Sequence, residues 1–460
     1  MKKFLAVIVS VALAAMLLLS GCFLKGEKGE TGPAGRDGIN GQDVSIIDIY
    51  NEAKQHEGNE NLTFNEFLQK YLNYTNVELD KKATLQAIMN KSLMSGVSIV
   101  SRFSYGSGYY GTSHKAFTGS GVIIDMDKTK GEAWVVTNCH VVYDDTSRNT
   151  FADEIYLFLY GQDLKDVNYS VGTDYSIKEL GGNYKIPAQV VGASVDYDIA
   201  LLKVTDSAVL KSSNAVKAEF ANDEHVYVGE TVYTVGNAAS EGLSVSDGII
   251  SKDSEYINVG MSDAYPSDTT SFRVLRTSAA VNHGNSGGGL FNTKGEIIAV
   301  VNAKDDEADT DNLGYALPAS NVKRLVQLMR DTYEAREDNT FVSGVRKAYL
   351  NVTLETVSST AIYNTETERA EITEGVMVSY GSGQPALSYL QYGDLITNIK
   401  VVDSANNEKE NVAVTRRYTV GDVMFSVREG YSVILTVKRG QSEIELEPIV
   451  FNSSYFKNYN

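Results

Sequence analysis

From about Gly96 onward, apolar positions fall in short runs rich in β-branched and aromatic side chains, each run bounded by turn residues. The runs Val97–Phe103, Gly121–Asp125, Ala133–Thr137, Glu154–Leu159, Ala188–Val191 and Ile199–Val204 predict one series of strands. A second series is predicted at Thr231–Val235, Ser271–Thr277, Gly289–Asn292 and Glu296–Val301. Many short strands of this kind point to barrels or sandwiches. Helical spacing occurs on either side of them. Val44 to Ala53 and Phe64 to Tyr74 carry it, with Thr63 placed as an N-cap three residues before Glu66. After Gly314-Tyr315-Ala316-Leu317-Pro318, Ala319–Tyr333 reads as a helix. The polar stretch Gln162 to Asn183 reads as a surface loop between two strands of the first series.

The beginning of the chain has a different pattern. Lys2 and Lys3 precede an apolar run from Phe4 to Leu19, as in a secretory signal. The run is at the short limit for a transmembrane anchor, which is the alternative reading. It ends in Leu19-Ser20-Gly21-Cys22, which resembles a bacterial lipobox and implies cleavage before Cys22 and a diacylglyceryl group on its sulfur. Glycine then recurs at every third position from Gly26 to Gly41, six collagen-like triplets containing one proline, Pro33. Such a run is an extended hydrophilic spacer, or one strand of a short triple helix in a trimer.

Length and charge narrow the picture. A chain of 460 residues exceeds one typical core and predicts two or three folded units. The formal charge is −18, and loss of Lys2 and Lys3 takes it to −20. Nucleic acid and anionic surfaces are poor partners for so acidic a protein. The two cysteines are Cys22 and Cys139. With Cys22 lipidated, no intramolecular disulfide can form, as fits a bacterial surface protein held by its own core. Cys139 is expected to point inward as a small apolar group, because neighbours on a strand face opposite sides.

Candidate chemistry lies in three segments. In Val281-Asn282-His283-Gly284-Asn285-Ser286-Gly287-Gly288-Gly289, glycines flank an exposed serine on both sides, leaving the backbone free to approach a carbonyl. His140 follows an apolar run in Thr137-Asn138-Cys139-His140-Val141-Val142. Asp198 opens the run Ile199-Ala200-Leu201-Leu202, with Asp196 as its rival. The order His140, Asp198, Ser286 is that of the chymotrypsin arrangement. The remaining histidines, His56, His114, His225 and His283, fall into no metal-ligand spacing, and neither a metal nor a cofactor is expected. His283 reads as a polar rim residue.

These three blocks resemble those of the HtrA (Deg) family of trypsin-like serine proteases. The resemblance implies a mainly β fold: two six-stranded, chymotrypsin-like β-barrels followed by a PDZ domain, with a small helical N-terminal segment. It implies His140, Asp198 and Ser286 as catalytic residues and an oxyanion hole at Gly284, Asn285 and Ser286. Ala280 would stand at the base of the primary specificity pocket, favouring small or medium apolar residues over Lys or Arg. Asn285 stands where zymogen-type trypsins carry aspartate, so activation by insertion of a new N-terminus is not expected. Tyr349-Leu350-Asn351-Val352, with Gly393-Asp394-Leu395-Ile396 and Val433–Gly440, resembles a PDZ domain whose Tyr349, Leu350, Asn351 and Val352 form the carboxylate-binding loop.

The expected organisation is a signal peptide at 1–21, a lipidated Cys22 and spacer at 22–43, and a helical segment at 44–92. A protease domain at 93–335 and a PDZ domain at 341–452 follow. The expected function is an endopeptidase lipid-anchored at the extracytoplasmic face of the bacterial membrane. Its partners would be unfolded or misfolded protein substrates and peptide C-termini, and its assembly a homotrimer. The alternative is a non-proteolytic surface chaperone or adhesin using the PDZ and Gly-X-Y segments.

Overall fold

A computed structural model describes residues 77–106, 111–162, 184–221, 226–260, 269–304, 313–336, 342–343, 347–350, 352–381 and 389–457, preceded by 50, 51, 53–55 and 59. The predicted signal, Cys22, the Gly-X-Y run, the Thr63 cap, residues 163–183 and Asn351 lie outside the described residues. The chain divides into Met1–Glu78 and Leu79–Asn460. In the first unit, Tyr50, Asn51, Ala53 and Lys54 are helical, and Asn59 Nδ2 donates to Ala53 O at 3.0 Å. In the second unit, helix α1 (Val77–Leu93) puts Leu93 into the core and Ile88 against Gly295. Among the described residues no helix is long and apolar enough to cross a membrane.

The first series of strands closes into a six-stranded barrel. It comprises β1 (Gly96–Tyr105), β2 (Ser113–Asp127), β3 (Glu132–Thr137), β4 (Glu154–Leu159), β5 (Ile186–Ser194) and β6 (Ile199–Val204). The order is β5-β4-β1-β2-β3-β6, closed by β5 pairing with β6. Alternate residues point inward, so Ile99, Ile123, Val135, Leu157 and Leu202 fill the interior. Helix α2 (Ala208–Ser212), capped by Ser207 Oγ accepting from Leu210 N–H at 3.2 Å, leads to the second barrel.

That barrel comprises β7 (Thr231–Gly236), β8 (Ser244–Gly260), β9 (Thr269–Thr277), β10 (Gly289–Asn292), β11 (Ile297–Lys304) and β12 (Gly314–Pro318), closed in the order β10-β11-β12-β9-β8-β7. The fold is therefore mainly β with two six-stranded barrels. Strand β8 was not expected from the apolar pattern. Its 17 residues include Ser, Asp, Gly and Lys because much of it is solvated, and register shifts at Ile250/Lys252 and Lys252/Glu255 bend it from β7 onto β9.

Helix α3 (Ala319–Glu334) follows Pro318 and buries Val322, Leu325, Val326, Met329 and Tyr333, an i, i+3, i+4, i+7 stripe. Tyr333 meets Trp134 edge-on, with ring centroids 5.9 Å apart. Strand β13 (Val342–Ser343) then pairs with β5. A separate sheet is built from β15 (Val352–Asn364), β16 (Arg369–Gly381), β17 (Leu395–Val402), β18 (Glu408–Ala413), β19 (Ser432–Arg439), β20 (Ser442–Glu445) and β21 (Ile449–Val450). Strand β14 (Lys347–Ala348) pairs with β22 (Phe456–Lys457) beside it. Helix α4 (Arg417–Val423) covers this sheet through Val420 and Val423, which join Val376, Ile399, Val433 and Leu435 in its core.

Ion pairs bind this sheet to the barrels. Arg324 on α3 makes a forked bond to Glu410 at 2.9 and 2.7 Å, and Arg416 pairs with Asp253. Arg273 bonds Asp422 at 2.5 Å and stacks on Tyr418. Phe425 packs edge-on against Tyr197, with centroids 4.7 Å apart. Arg324→Ala strands Glu410 in a mostly buried site and should cost about 3 kcal/mol in urea unfolding. Glu410→Ala should cost a similar amount, and the double variant clearly less than the sum.

Candidate active site

His140 does not continue strand β3 but sits in the 3-10 turn Cys139–Val141 that follows it. Cys139 is 1% exposed because the turn tucks it beneath the barrel wall, not because of strand alternation as the sequence pattern suggested. Burial, reinforced by Asp198 and Asp196, drives its thiol well above the ordinary range, so it is no nucleophile. The histidine side chain keeps about half its surface open (51%).

Asp198 stands in the turn between β5 and β6 with φ at 48°, a left-handed conformation that a short polar residue tolerates. Asn138 Nδ2 donates to Asp198 O at 2.8 Å and holds it there. The Asp198 carboxylate collects three donors: His140 N–H on Oδ1 at 2.9 Å, and His140 Nδ1 at 2.7 Å and Asn302 Nδ2 at 2.5 Å on Oδ2. A carboxylate only accepts, so the imidazole proton lies on Nδ1 and Nε2 is left as the base. Burial opposes the imidazolium, but the charge and hydrogen bond of Asp198 outweigh it, and the histidine pKa is raised above its ordinary value. Asp196 is 5% exposed and its carboxyl is pushed up to about 6 by burial. Nδ1 of the imidazole turns to Asp198, and Asp196 lines a cavity on the side of the C-terminal sheet.

The serine is delivered by the turn before β10. Gly284 (φ 93°) and Gly287 (φ 84°) both adopt left-handed conformations. A Cβ at Gly284 would lie 2.2 Å from Asn237 O, and one at Gly287 2.2 Å from Ser120 O. Ser120, fully buried on β2, fastens this turn to the first barrel. Its N–H donates to Ser286 O at 2.8 Å, its Oγ donates to Gly284 O at 2.6 Å, and Asn237 N–H donates to the same Oγ at 2.7 Å.

Among the described residues the N–H groups of Gly284 and Ser286 are spent on no protein acceptor, as an oxyanion hole requires. Asn285 differs from the expectation. Its N–H closes the turn on Asn282 O at 2.9 Å, and its buried side chain donates to Ala280 O at 3.1 Å, so it shapes the loop and offers no amide to an oxyanion. Ala280 is exposed, with its carbonyl also 3.4 Å from Thr234 Oγ1. Ser286 Oγ donates to Asn302 O at 3.1 Å. In this geometry the hydroxyl bonds β11 and not His140; nucleophile–base bonds commonly tighten only with substrate bound. His283 lies exposed, its carbonyl accepting from Ala239 N–H at 2.7 Å.

Three residues here were not singled out from sequence: Ser120, Asn138 and Asn302. Asn302 had a visible signal, a polar residue in the apolar run Ile297–Ala303, where it is 2% exposed. Ser120 had only its place between Gly119 and Gly121. The loop at Tyr349, Leu350 and Val352 lies against the C-terminal sheet with Leu350 buried. Tyr349 N–H is already donated to Tyr455 O at 2.9 Å.

The family model of the trypsin-like peptidase domain matches residues 119–300, which contain all three triad candidates. The chain is 30% identical over 245 residues to the serine protease Do-like HtrA of Bacillus subtilis, covering 53% of this chain and 44% of that one. It is 28% identical over 350 residues to the serine protease Do-like HtrA of Lactococcus lactis subsp. cremoris, covering 73% and 74%. It thus spans less than half the length of the first relative and about three quarters of the second. The solved HtrA-type protease AlgW with decapeptide aligns at a TM-score of 0.47 and 19% identity, covering 82% of this chain and 99% of that one.

Two outcomes follow for this geometry. Peptide hydrolysis should rise with pH through a midpoint above the ordinary histidine value, since only neutral His140 can take a proton. Asp198→Asn should shift that midpoint down in a kcat/KM profile. Asn302→Leu removes one donor from the Asp198 carboxylate and should lower kcat by about tenfold to a hundredfold with little change in KM, read with a chromogenic peptide.

Proposed function

Because this chain belongs to the HtrA family of trypsin-like serine proteases, which hydrolyse peptide bonds, we propose that it is a membrane-anchored endopeptidase that degrades misfolded or unfolded exported proteins. The observation that carries the mechanism is the Asp198 carboxylate receiving both His140 donors, beside a serine turn fastened to the same barrel by Ser120. Ser286 Oγ attacks the peptide carbonyl while His140 Nε2 takes its proton and returns it to the leaving amine. Asp198 fixes the tautomer and offsets the imidazolium charge. Gly284 and Ser286 N–H groups receive the oxyanion. Ala280 supports cleavage after small or medium apolar residues.

The lipobox around Cys22 supports a lipid anchor at the extracytoplasmic face, with the Gly-X-Y run as spacer or trimer strand. Residues 341–452 are proposed to act as a PDZ domain for peptide C-termini. Any terminus would be met by loop amides after Tyr349, whose N–H is occupied, and the edge of β15 offers strand addition.

Ser286→Ala should abolish casein hydrolysis while leaving the melting temperature unchanged; hydrolysis at the original rate would refute the nucleophile assignment. Cys22→Ala should release the protein from the membrane fraction or leave an uncleaved precursor. Unchanged membrane association with normal processing would refute the anchor.

A further inference from the structure

A cavity of about 280 Å³ lies between the barrels and the C-terminal sheet, lined by neither Asp198 nor the serine turn among the described residues. Its barrel wall is apolar, formed by Ile199, Phe272, Leu317, Val322 and Leu325, all buried in the core. Most of its charged lining is already matched. Arg273 bonds Asp422 at 2.5 Å and Ser320 Oγ at 3.2 Å, and stacks on Tyr418 with 4.0 Å to the ring centroid. Burial keeps the Asp196 carboxyl protonated up to about pH 6.

Lys347 is the exception. Its Nζ lies 4.1 Å from the Phe425 ring centroid, 5.5 Å from that of Tyr197 and 5.8 Å from that of Tyr349. None of the ion pairs among the described residues includes it. Burial lowers its pKa to about 8, with Asp422 opposing, so it is charged near neutral pH. Aromatic faces offset part of an ammonium's desolvation but give its N–H groups no oxygen acceptor.

Helix α4 leaves room for one. Gly421, a weak helix former in the middle of the helix, lines the cavity, and a Cβ there would meet only Lys347 Nζ, at 3.9 Å. At about 30 Å³ per water the space equals roughly nine waters, or a ligand of about ten heavy atoms.

We propose that this cavity binds a small apolar monocarboxylate, its carboxylate on Lys347 Nζ and its hydrocarbon body against Phe272, Leu317, Val322 and Leu325. Charge-assisted bonding to a half-buried ammonium supplies the orientation, and the apolar wall supplies the affinity. The site is separate from the Ser286 cleft and from the open edge of β15, neither of which contributes lining among the described residues. It is independent of the proteolytic reading.

Octanoate, with ten heavy atoms, is the probe, and octanol the uncharged control, in calorimetric titrations of the full chain below about pH 6, where the Asp196 carboxyl is mostly protonated and Lys347 is charged. Octanoate should bind the native protein, and Lys347→Met should weaken it by about tenfold or more while octanol shows no such dependence. Gly421→Leu should fill the space and abolish the heat. No octanoate binding at millimolar concentration, or equal affinity in native protein and a cooperatively melting Lys347→Met, would overturn the proposal. Should Lys347→Met fail to fold, Gly421→Glu and Gly421→Gln decide. The tethered carboxylate should melt several degrees above the amide, and an equal or lower melting temperature refutes the site.

Discussion

Ser120 is the point on which the two barrels agree. Neither barrel alone holds a complete site: His140 and Asp198 belong to the first, and Ser286 and its turn to the second. The hydroxyl and amide of one buried serine donate to Gly284 O and Ser286 O, which registers the serine turn against β2 through two bonds, and the hydroxyl accepts a third from Asn237 after β7. Buried polar groups of this kind are costly to leave unmatched, about 1–3 kcal/mol each. The same cost keeps them matched once formed. The left-handed backbone at Gly284 and Gly287 follows from that closeness, because any Cβ would strike Asn237 O or Ser120 O.

Asp198 shows the same economy at smaller scale. A single carboxylate positions the imidazole through the ring and the backbone of His140 and is itself held by Asn302 and, at its carbonyl, by Asn138. Both asparagines are buried, and each spends its side-chain N–H on this turn. The strained φ of Asp198 is therefore maintained by groups of the turn after β3 and of strand β11.

How much of this could be read from sequence follows from what each element exposes. Glu154–Leu159, Ile199–Val204 and Gly289–Asn292 appeared with their observed bounds because both ends are marked by turns and both faces are mostly buried. Strand β8 was hidden by its solvated residues, since among those whose burial is described only Ile250 is fully buried. His140, Asp198 and Ser286 could be named because each follows or opens an apolar run beside a distinctive polar or glycine neighbour. Ser120 and Asn138 could not, because their role is to accept or donate across more than 50 residues and nothing local announces it. The inward Cys139 was anticipated on alternation, whereas a turn buries it.

The pairing of β14 with β22 has a kinetic side. Lys347 and Lys457 lie about a hundred residues apart, and their hydrogen-bonded ladder, with Tyr349 N–H on Tyr455 O, cannot form until both segments are available. Contacts of such high sequence separation close late, after the loop-closure entropy has been met by other packing. The barrels, complete by α3, can therefore assemble while the C-terminal sheet is still emerging, and the sheet's last stitch is made against a surface that already exists. A hydrolytic centre would then be built before the module beside it is closed.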